Sequence, residues 1–561
     1  MSVAVLPVQR DLAELLRAGL RRAAAAGTVA LDPDRLPKPA LERPRLAEHG
    51  DWASNVALTL AKAAGAPPRA VAEAMVANLE LPDWVEAVEV AGPGFVNVRL
   101  AHRWFEELVR RVLAAESGFG HADLGGGERV NVEFISANPT GPLHVGNTRG
   151  AALGDTLANL LEATGHRVAR EYYFNDANAQ MDLFGASVEA AYLSLLGRPV
   201  PPPENGYKGG YVDELAAELR AQQGDELADL DQGERRKLIT EWSVQRMLAG
   251  IRRTVERLGV HFDVWFSEQS LHAGAIDAAV ARLRELGVVD DREGATWLRT
   301  TQFGDDKDRP LIRSSGAPTY FGADAAYYLD KRRRGFDRLL FVLGADHHGY
   351  VSRMRAVAGA YGDPEGTAEF FLYQLVNLVR GGRPVRMSKR AGDLVTVDDL
   401  LDEVGRDAAR YEILRYAPDT PIDFDIEAVT RQSMDNPIWY VQYAHARISS
   451  VIRQAAETGF TARPVEASDL GLLGHPLEAT LLRQLASYEE VVLLAARQRA
   501  PHRLTRYAEE LAAAFHRFYG ECRVLTDDLA LSSARWWLCL ATRQVLANAL
   551  GLMGVGAPER M

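Results

Sequence analysis

The stretch NVEFISANPTGPLHVGNTRGAALGD, residues 131–155, decides the fold. It begins inside RVNVEFIS (129–136), where Val130, Val132 and Phe134 alternate with Asn131 and Glu133, and a period of two predicts a strand. A loop carrying Pro139, Gly141 and Pro142 follows, and the run after it predicts a helix from about Asn147 to Ala163. REYYFND (170–176) reads as a second strand. Strand, loop, helix, strand opens a doubly wound parallel sheet, so the expected class is α/β, with a Rossmann-like core.

Upstream, DLAELLRAGLRRAAAA (11–26) spaces leucine for an amphipathic helix, and VEAVEVAGPGFVNVRLA (85–101) reads as two strands around a Gly-Pro-Gly turn. Residues 1–120 are therefore expected to form a small α+β domain, followed by a linker at LGGGE (124–128). Downstream, PPPENGYKGG (201–210) marks an excursion from the sheet, and 125–395 is expected to be the core domain with a helix-rich insertion at about 195–320. RLLFVLGADHH (338–348) has the form of a buried parallel strand delivering polar residues from its tip. Thr396 with Asp399 predicts a helix start of capping-box type. A connecting helical segment (396–435) and an all-α helical bundle domain (436–561) complete the expected architecture.

At 561 residues the chain is too long for a single core. Its 47% hydrophobic and 25% charged residues are an ordinary globular balance. A net charge of −12 excludes sequence-independent nucleic-acid binding by the whole surface, and DNA is not an expected partner; one particular RNA, met by basic patches, stays open. The two cysteines, Cys522 and Cys539, fit neither a disulfide framework nor close zinc-ligand spacing, so no structural metal is expected. No signal peptide and no apolar run near the ~20 residues of a membrane span is seen, which predicts a soluble cytoplasmic protein.

Two loops carry chemistry. His144-Val145-Gly146-Asn147 sits at a strand-to-helix junction, where free backbone N–H groups favour an anion and Gly146 allows close approach. Taken alone it fits a structural histidine better. Arg386-Met387-Ser388-Lys389-Arg390 is a basic loop bracketed by Gly381, Gly382 and Gly392, suited to phosphates but also to plain solvation. Lys331-Arg332-Arg333-Arg334 reads as a solvated helix face, with contact to an RNA end as the alternative. His347 and His348 invite a metal reading, which their alternation on a strand would defeat.

Together and in this order, HVGN and RMSKR resemble the two signature motifs of class I aminoacyl-tRNA synthetases, HIGH and KMSKS. Asn147 stands where the family has its second histidine, and Arg386 and Arg390 replace the outer Lys and Ser. In some arginine enzymes a lysine three residues before the motif histidine takes over the charge; Gly141 stands there, so the burden falls on Lys389. The flanking residues 131–155, EYYFNDANAQ (171–180), YVQYAHARISS (440–450) and GVGAPERM (554–561) are similar to bacterial arginyl-tRNA synthetases.

That resemblance implies arginine and ATP (with Mg²⁺) as substrates, tRNA-Arg as partner and a monomer. It implies His144 and Lys389 as catalytic residues. Arginine would be held by Glu133, Ser136, Asn138, His144, Tyr320 and Asp324, and ATP by His144, Gly146, Asn147, Gly344, Asp346, His348, Met387, Ser388 and Lys389. A planar guanidinium wants carboxylates, which agrees with Glu133 and Asp324. By residue type alone Glu133 also fits a solvent-facing strand position, Asp324 a surface charge and Tyr320 a core aromatic. The N-terminal domain would meet the tRNA elbow, with Phe95 and Asn97 as candidates, and the C-terminal one the anticodon, with Tyr443. The competing readings are the cysteine or glutamate enzyme of the same class, and a synthetase-like RNA-binding protein without catalysis.

Overall fold

The computed structural model describes residues 6–44, 46–385 and 395–561. Helix α1 (Pro7–Ala25) buries Leu12, Leu16 and Leu20, one stripe at a spacing of four, and each contributes ~2 kcal/mol by leaving water. It packs with β1 (Trp52–Ser54), α2 (Val56–Ala64), α3 (Pro68–Ala77), β2 (Val85–Ala91) and β3 (Phe95–Leu100). The strands form an antiparallel sheet in the order β1-β3-β2. Val96, Val98 and Leu100 point into its core, which puts Phe95 and Asn97 on the opposite face, Phe95 exposed. Helix α4 (His102–Ala115) leads out of this unit.

The central sheet begins with β4 (Arg129–Phe134), α5 (Gly146–Ala163) and β5 (Arg167–Phe174). Helices α6 (Ala179–Leu195), α7 (Gly210–Gln223) and α8 (Gln232–Arg257) follow, and the chain then returns to the sheet as β6 (Val264–Ser267), parallel to β5. The expected single insertion at 195–320 is therefore two excursions. The second carries α9 (Ala275–Glu285) and a small antiparallel sheet of β7 (Val289–Arg292), β8 (Ala295–Leu298) and β9 (Arg309–Ile312). A four-residue β6 between two long excursions is too short for its alternation to stand out in the sequence.

Helix α10 (Tyr320–Arg333), β10 (Arg338–Gly344), α11 (His348–Ala360) and β11 (Ala368–Tyr373) complete a five-stranded, wholly parallel sheet in the order β11-β10-β4-β5-β6. From β4 the order runs one way to β5 and β6, and the other way to β10 and β11. That reversal opens a crevice beyond the carboxyl ends of β4 and β10. Helix α5 covers the sheet so closely that a Cβ on Gly154 would lie 2.3 Å from the Phe134 ring.

A short platform of β12 (Val376–Arg380) and β13 (Arg383–Pro384) precedes the basic loop, and α12 (Val397–Val404) and α13 (Arg406–Leu414) follow it. Strand β14 (Ile422–Asp425) then pairs parallel to β12, so the segment 396–435 is not wholly helical. Beyond α14 (Ile426–Thr430), α15 (Pro437–Glu457), α16 (Pro476–Gln498), α17 (His502–Glu521) and α18 (Leu529–Leu552) form an all-α bundle. Buried Arg410 ties the end of this bundle to the sheet: it donates to Met553 O at 2.9 Å and to Asp155 on α5 at 2.5 Å.

The first unit docks on α16. Asp51 pairs with Arg483, Arg43 with Glu490 and Arg111 with Glu489, while Phe119 stacks on Tyr488. Arg43 also lies over the ring of Trp52 at 4.5 Å. Among the described residues no helix is long and apolar enough to cross a membrane.

Candidate active site

A cleft of about 510 Å³ lies at the switch point. One side is β4 and the turn after it, with Glu133, Ile135 and Ser136. A second is the start of α5, with His144, Gly146 and Asn147. Asp324 and Tyr350 reach it from α10 and α11, Tyr173 from β5, Gly344, Asp346 and His347 from the tip of β10, and Tyr373, Gln374, Leu375 and Val376 from the end of β11.

The turn after β4 is strained. Ile135 and Ser136 have φ of +66° and +45°, a region that a β-branched residue rarely enters. The reversal lets the Ser136 hydroxyl donate to Glu133 Oε1 at 3.1 Å while accepting the Tyr173 N–H at 3.1 Å. Glu133 is buried, not solvent-facing. Its other oxygen, Oε2, accepts from Lys331 Nζ at 2.7 Å and from the Tyr327 hydroxyl at 3.0 Å.

This corrects the reading of residues 331–334 as a solvated face. Lys331 is fully buried, between Glu133, Asn131 Oδ1 at 2.6 Å and the Glu171 carboxylate at 3.5 Å, with its ammonium over the rings of Tyr327 and Phe341. Arg334 forks onto Glu171 at 2.6 and 3.0 Å. Burial alone would raise the Glu171 carboxyl; Lys331 and Arg334 outweigh it and hold Glu171 at about 2. The run is basic because two of its members serve carboxylates beneath the cleft.

Asp324 differs. It accepts a hydrogen bond from the Tyr350 hydroxyl at 3.3 Å, a long one. Burial, and next the charge of Glu268, push its carboxyl up to about 7, against the opposing pull of Arg353 and Tyr350. It is an acceptor with capacity to spare, on the floor of a cleft. Tyr320, four residues earlier, is 60% exposed and does not line this cleft, so it is not a core aromatic. Asn138 also lies outside the lining, donating to Gln180 at 2.9 Å and accepting from Asn175 N at 3.2 Å.

At the other end, His144 Nδ1 accepts the Gly146 N–H at 3.1 Å. Burial lowers its pKa, so the ring is neutral near pH 7 and its proton sits on Nε2, leaving a donor for a ligand. Asn147, which has no obvious role by residue type, has a local one: its Oδ1 accepts the His144 N–H at 3.0 Å and so fixes the histidine's backbone. The motif is also stitched to the far side of the basic loop, since Val145 N donates to Val395 O at 2.9 Å and Val397 N to Leu143 O at 2.8 Å. Thr396 and Asp399 cap α12 there, in the expected capping box. Arg386–Arg390, with Met387, Ser388 and Lys389, lies outside the described residues.

His347, not His348, faces the cleft. The two stand on a turn entering α11 and not on β10, so strand alternation has no bearing on them. Among the described residues no cluster of His, Cys, Asp and Glu is arranged to hold a metal ion. Tyr173 and Tyr350 were missed by sequence reasoning. Tyr173 carried a signal, two positions after Glu171 near the end of a strand; Tyr350 carried none. A second hollow, of about 600 Å³ near α12–α15, contains Arg257, Arg406 and Arg431, each already paired with a carboxylate, and none of the motif residues. Away from both, Tyr443 is half-buried under Arg447, whose guanidinium lies 4.6 Å from its ring, and stacks on His516.

Comparison with known proteins matches this layout. Residues 10–100 match the family described as "Arginyl tRNA synthetase N terminal domain". Residues 109–434 match "tRNA synthetases class I (R), catalytic domain", and 441–561 match "DALR anticodon binding domain". The chain is 51% identical over 557 residues to an arginine–tRNA ligase of Frankia alni, covering 98% of this chain and 99% of that one. It is 50% identical over 561 residues to that of Kineococcus radiotolerans, at 98% and 99% coverage. Among solved structures, a putative arginyl-tRNA synthetase of Campylobacter jejuni superposes with a TM-score of 0.76 at 34% identity, over 82% of this chain and 100% of that one. The Thermus thermophilus arginyl-tRNA synthetase shares the fold, with a TM-score of 0.74 at 24% identity over 99% and 100%. With its parallel-sheet core, its two motif loops and its C-terminal bundle, the chain belongs to the arginyl-tRNA synthetases of class I.

Proposed function

We propose that the chain ligates arginine to tRNA-Arg, and that the cleft at the tips of β4 and β10 is where arginine is activated. The observation that carries the reading is Asp324, a carboxylate held near its titration point with spare acceptor capacity. It takes the guanidinium, with Tyr320 as the further partner if the first turn of α10 closes inward. Glu133 and Ser136 meet the α-amino end, and Asn138, outside the lining, holds Asn175 and Gln180 behind it.

ATP lies along His144, Gly146 and Asn147 at the N-terminus of α5, and along Gly344, Asp346 and, in place of the expected His348, His347. Met387, Ser388 and Lys389 approach its phosphates, and Mg²⁺ travels on it as part of the substrate. The arginine carboxylate attacks the α-phosphorus and pyrophosphate leaves; the 2′-hydroxyl of the terminal adenosine then attacks the acyl carbon and AMP leaves. Neither step needs an enzyme nucleophile, so alignment and charge stabilisation do the catalysis. His144 Nε2–H and Lys389 supply the donors. Phe95 and Asn97 on the open face of β3, and Tyr443 on α15, meet the RNA. The protein works as a monomer in the cytoplasm.

Two results test this. Lys389→Ala lowers adenylate formation by roughly 10²-fold, as for loss of one preorganised donor, in ATP–pyrophosphate exchange with arginine and tRNA present; near-normal exchange would refute the assignment. The second is pH dependence. Only ionised Asp324 pairs with a guanidinium, so binding expels its proton. Arginine affinity is full above pH 7 and falls as pH drops through about 7. Calorimetry in buffers of different ionisation enthalpy reads the released proton, and Asp324→Asn abolishes it.

A further inference from the structure

Arg149 lies one turn into α5 from His144, fully buried, and its contacts are unusual for a buried cation. Among the described residues no carboxylate pairs with it. Nη1 donates to Gln374 O at 2.9 Å and Leu375 O at 3.3 Å. Nη2 donates to Ala417 O at 2.9 Å, Pro418 O at 3.1 Å and Thr420 O at 2.8 Å. Burial lowers its pKa to about 10, against the pull of the Asp419 charge, so the guanidinium stays charged at neutral pH with five carbonyl oxygens as its direct partners. Its two arms hold different segments: one grips the chain as it leaves β11, the other the loop that leads into β14.

Those segments are themselves joined, Gln374 N donating to Pro418 O at 2.9 Å and Ile422 N to Leu375 O at 3.1 Å. The next residue presses on the same place, since a Cβ on Gly150 would lie 2.6 Å from the Tyr373 hydroxyl oxygen. Tyr373, Gln374, Leu375 and Val376 form the cleft wall facing the α5 terminus. We infer that Arg149 is a positioning residue that fixes this wall against the His144 turn and so sets the width of the slot for the nucleotide. The inference rests on the reading of that slot as the ATP side of the cleft.

The fork is what matters. A lysine keeps the charge but is a point donor, and cannot hold two segments at once. In pyrophosphate exchange, Arg149→Lys is expected to raise KM for ATP about tenfold. Arginine affinity, measured by calorimetry, stays close to that of the parent, while the thermal unfolding temperature falls by only the few degrees that the lost buried hydrogen bonds cost. Unchanged KM for ATP overturns the inference, because charge burial alone then suffices. Loss of both affinities in step with the unfolding temperature overturns it too, as a structural role only.

Should Arg149→Lys not fold, Gly150→Ala pushes on the same wall with the charge intact. The same ATP-selective defect supports the inference and its absence overturns it. Leu375→Ala, at a side chain 66% exposed, separates the two readings. If it raises KM for ATP and Arg149→Lys does not, only the positioning role falls. If neither does, the assignment of the wall to ATP falls, and the inference with it.

Discussion

Replacing Lys331 by methionine is expected to cost the fold about 3–5 kcal/mol, the range for removing one partner of a buried charge pair. Methionine matches the stem of the side chain, so the loss is electrostatic. It takes from Glu133 Oε2 and Asn131 Oδ1 their bonds of 2.7 and 2.6 Å, leaving Glu133 Oε2 the Tyr327 hydroxyl but no cation, while Glu171 keeps the fork from Arg334. Chemical denaturation followed by circular dichroism reads the shift. Adding Glu133→Gln should recover part of the stability, since the uncompensated charge is gone. A single variant as stable as the parent would overturn the reading of Lys331 as the charge partner that holds Glu133 in the fold.

Replacing Asp324 by alanine is expected to lower kcat/KM for arginine about 10³-fold, equivalent to ~4 kcal/mol, with the fold intact. Stability should hold because Asp324 is poorly satisfied without ligand: its raised pKa reflects burial and repulsion, not a stabilising pair. Asp324→Asn keeps an acceptor and loses the charge, and should recover a small part. Exchange at saturating ATP measures both. A loss under tenfold would move the guanidinium elsewhere in the cleft. Selectivity against lysine follows the same logic, since an ammonium leaves fork-spaced acceptors unpaired.

Much of the fold was legible because it is local. Alternation through Val130, Val132 and Phe134 placed β4 and left Glu133 near its tip. The run to Ala163 gave α5, and Thr396 with Asp399 gave the start of α12. Parts of the site failed to show for one physical reason: their meaning is non-local. Lys331 looks solvated within KRRR because its partners Asn131 and Glu133 are 200 and 198 residues away. Tyr350 and Leu375 enter the cleft only through the order of strands. Asn147 acts on a backbone N–H three residues back, and no residue type announces that. Strand β6 was lost to shortness. Tyr320 shows the converse: its spacing from Asp324 on α10 was legible, its solvent exposure was not.

The docking of the first unit on α16 bears on how the chain is made. Asp51 meets Arg483 across 432 residues, the separation that a ribosome covers in about 20 to 90 s. The sheet β1-β3-β2 and its helices are synthesised while α16 is still unmade. Until then the docking face must stand in water among other growing chains, where bare apolar surface invites aggregation. The contact made last is mixed: ion pairs rim an apolar seam in which Phe119 stacks on Tyr488, and Arg43 lies across Trp52 from its own side of the joint. The charged rim, and the guanidinium laid over Trp52, lessen the bare apolar surface that stands in water until the partner is made.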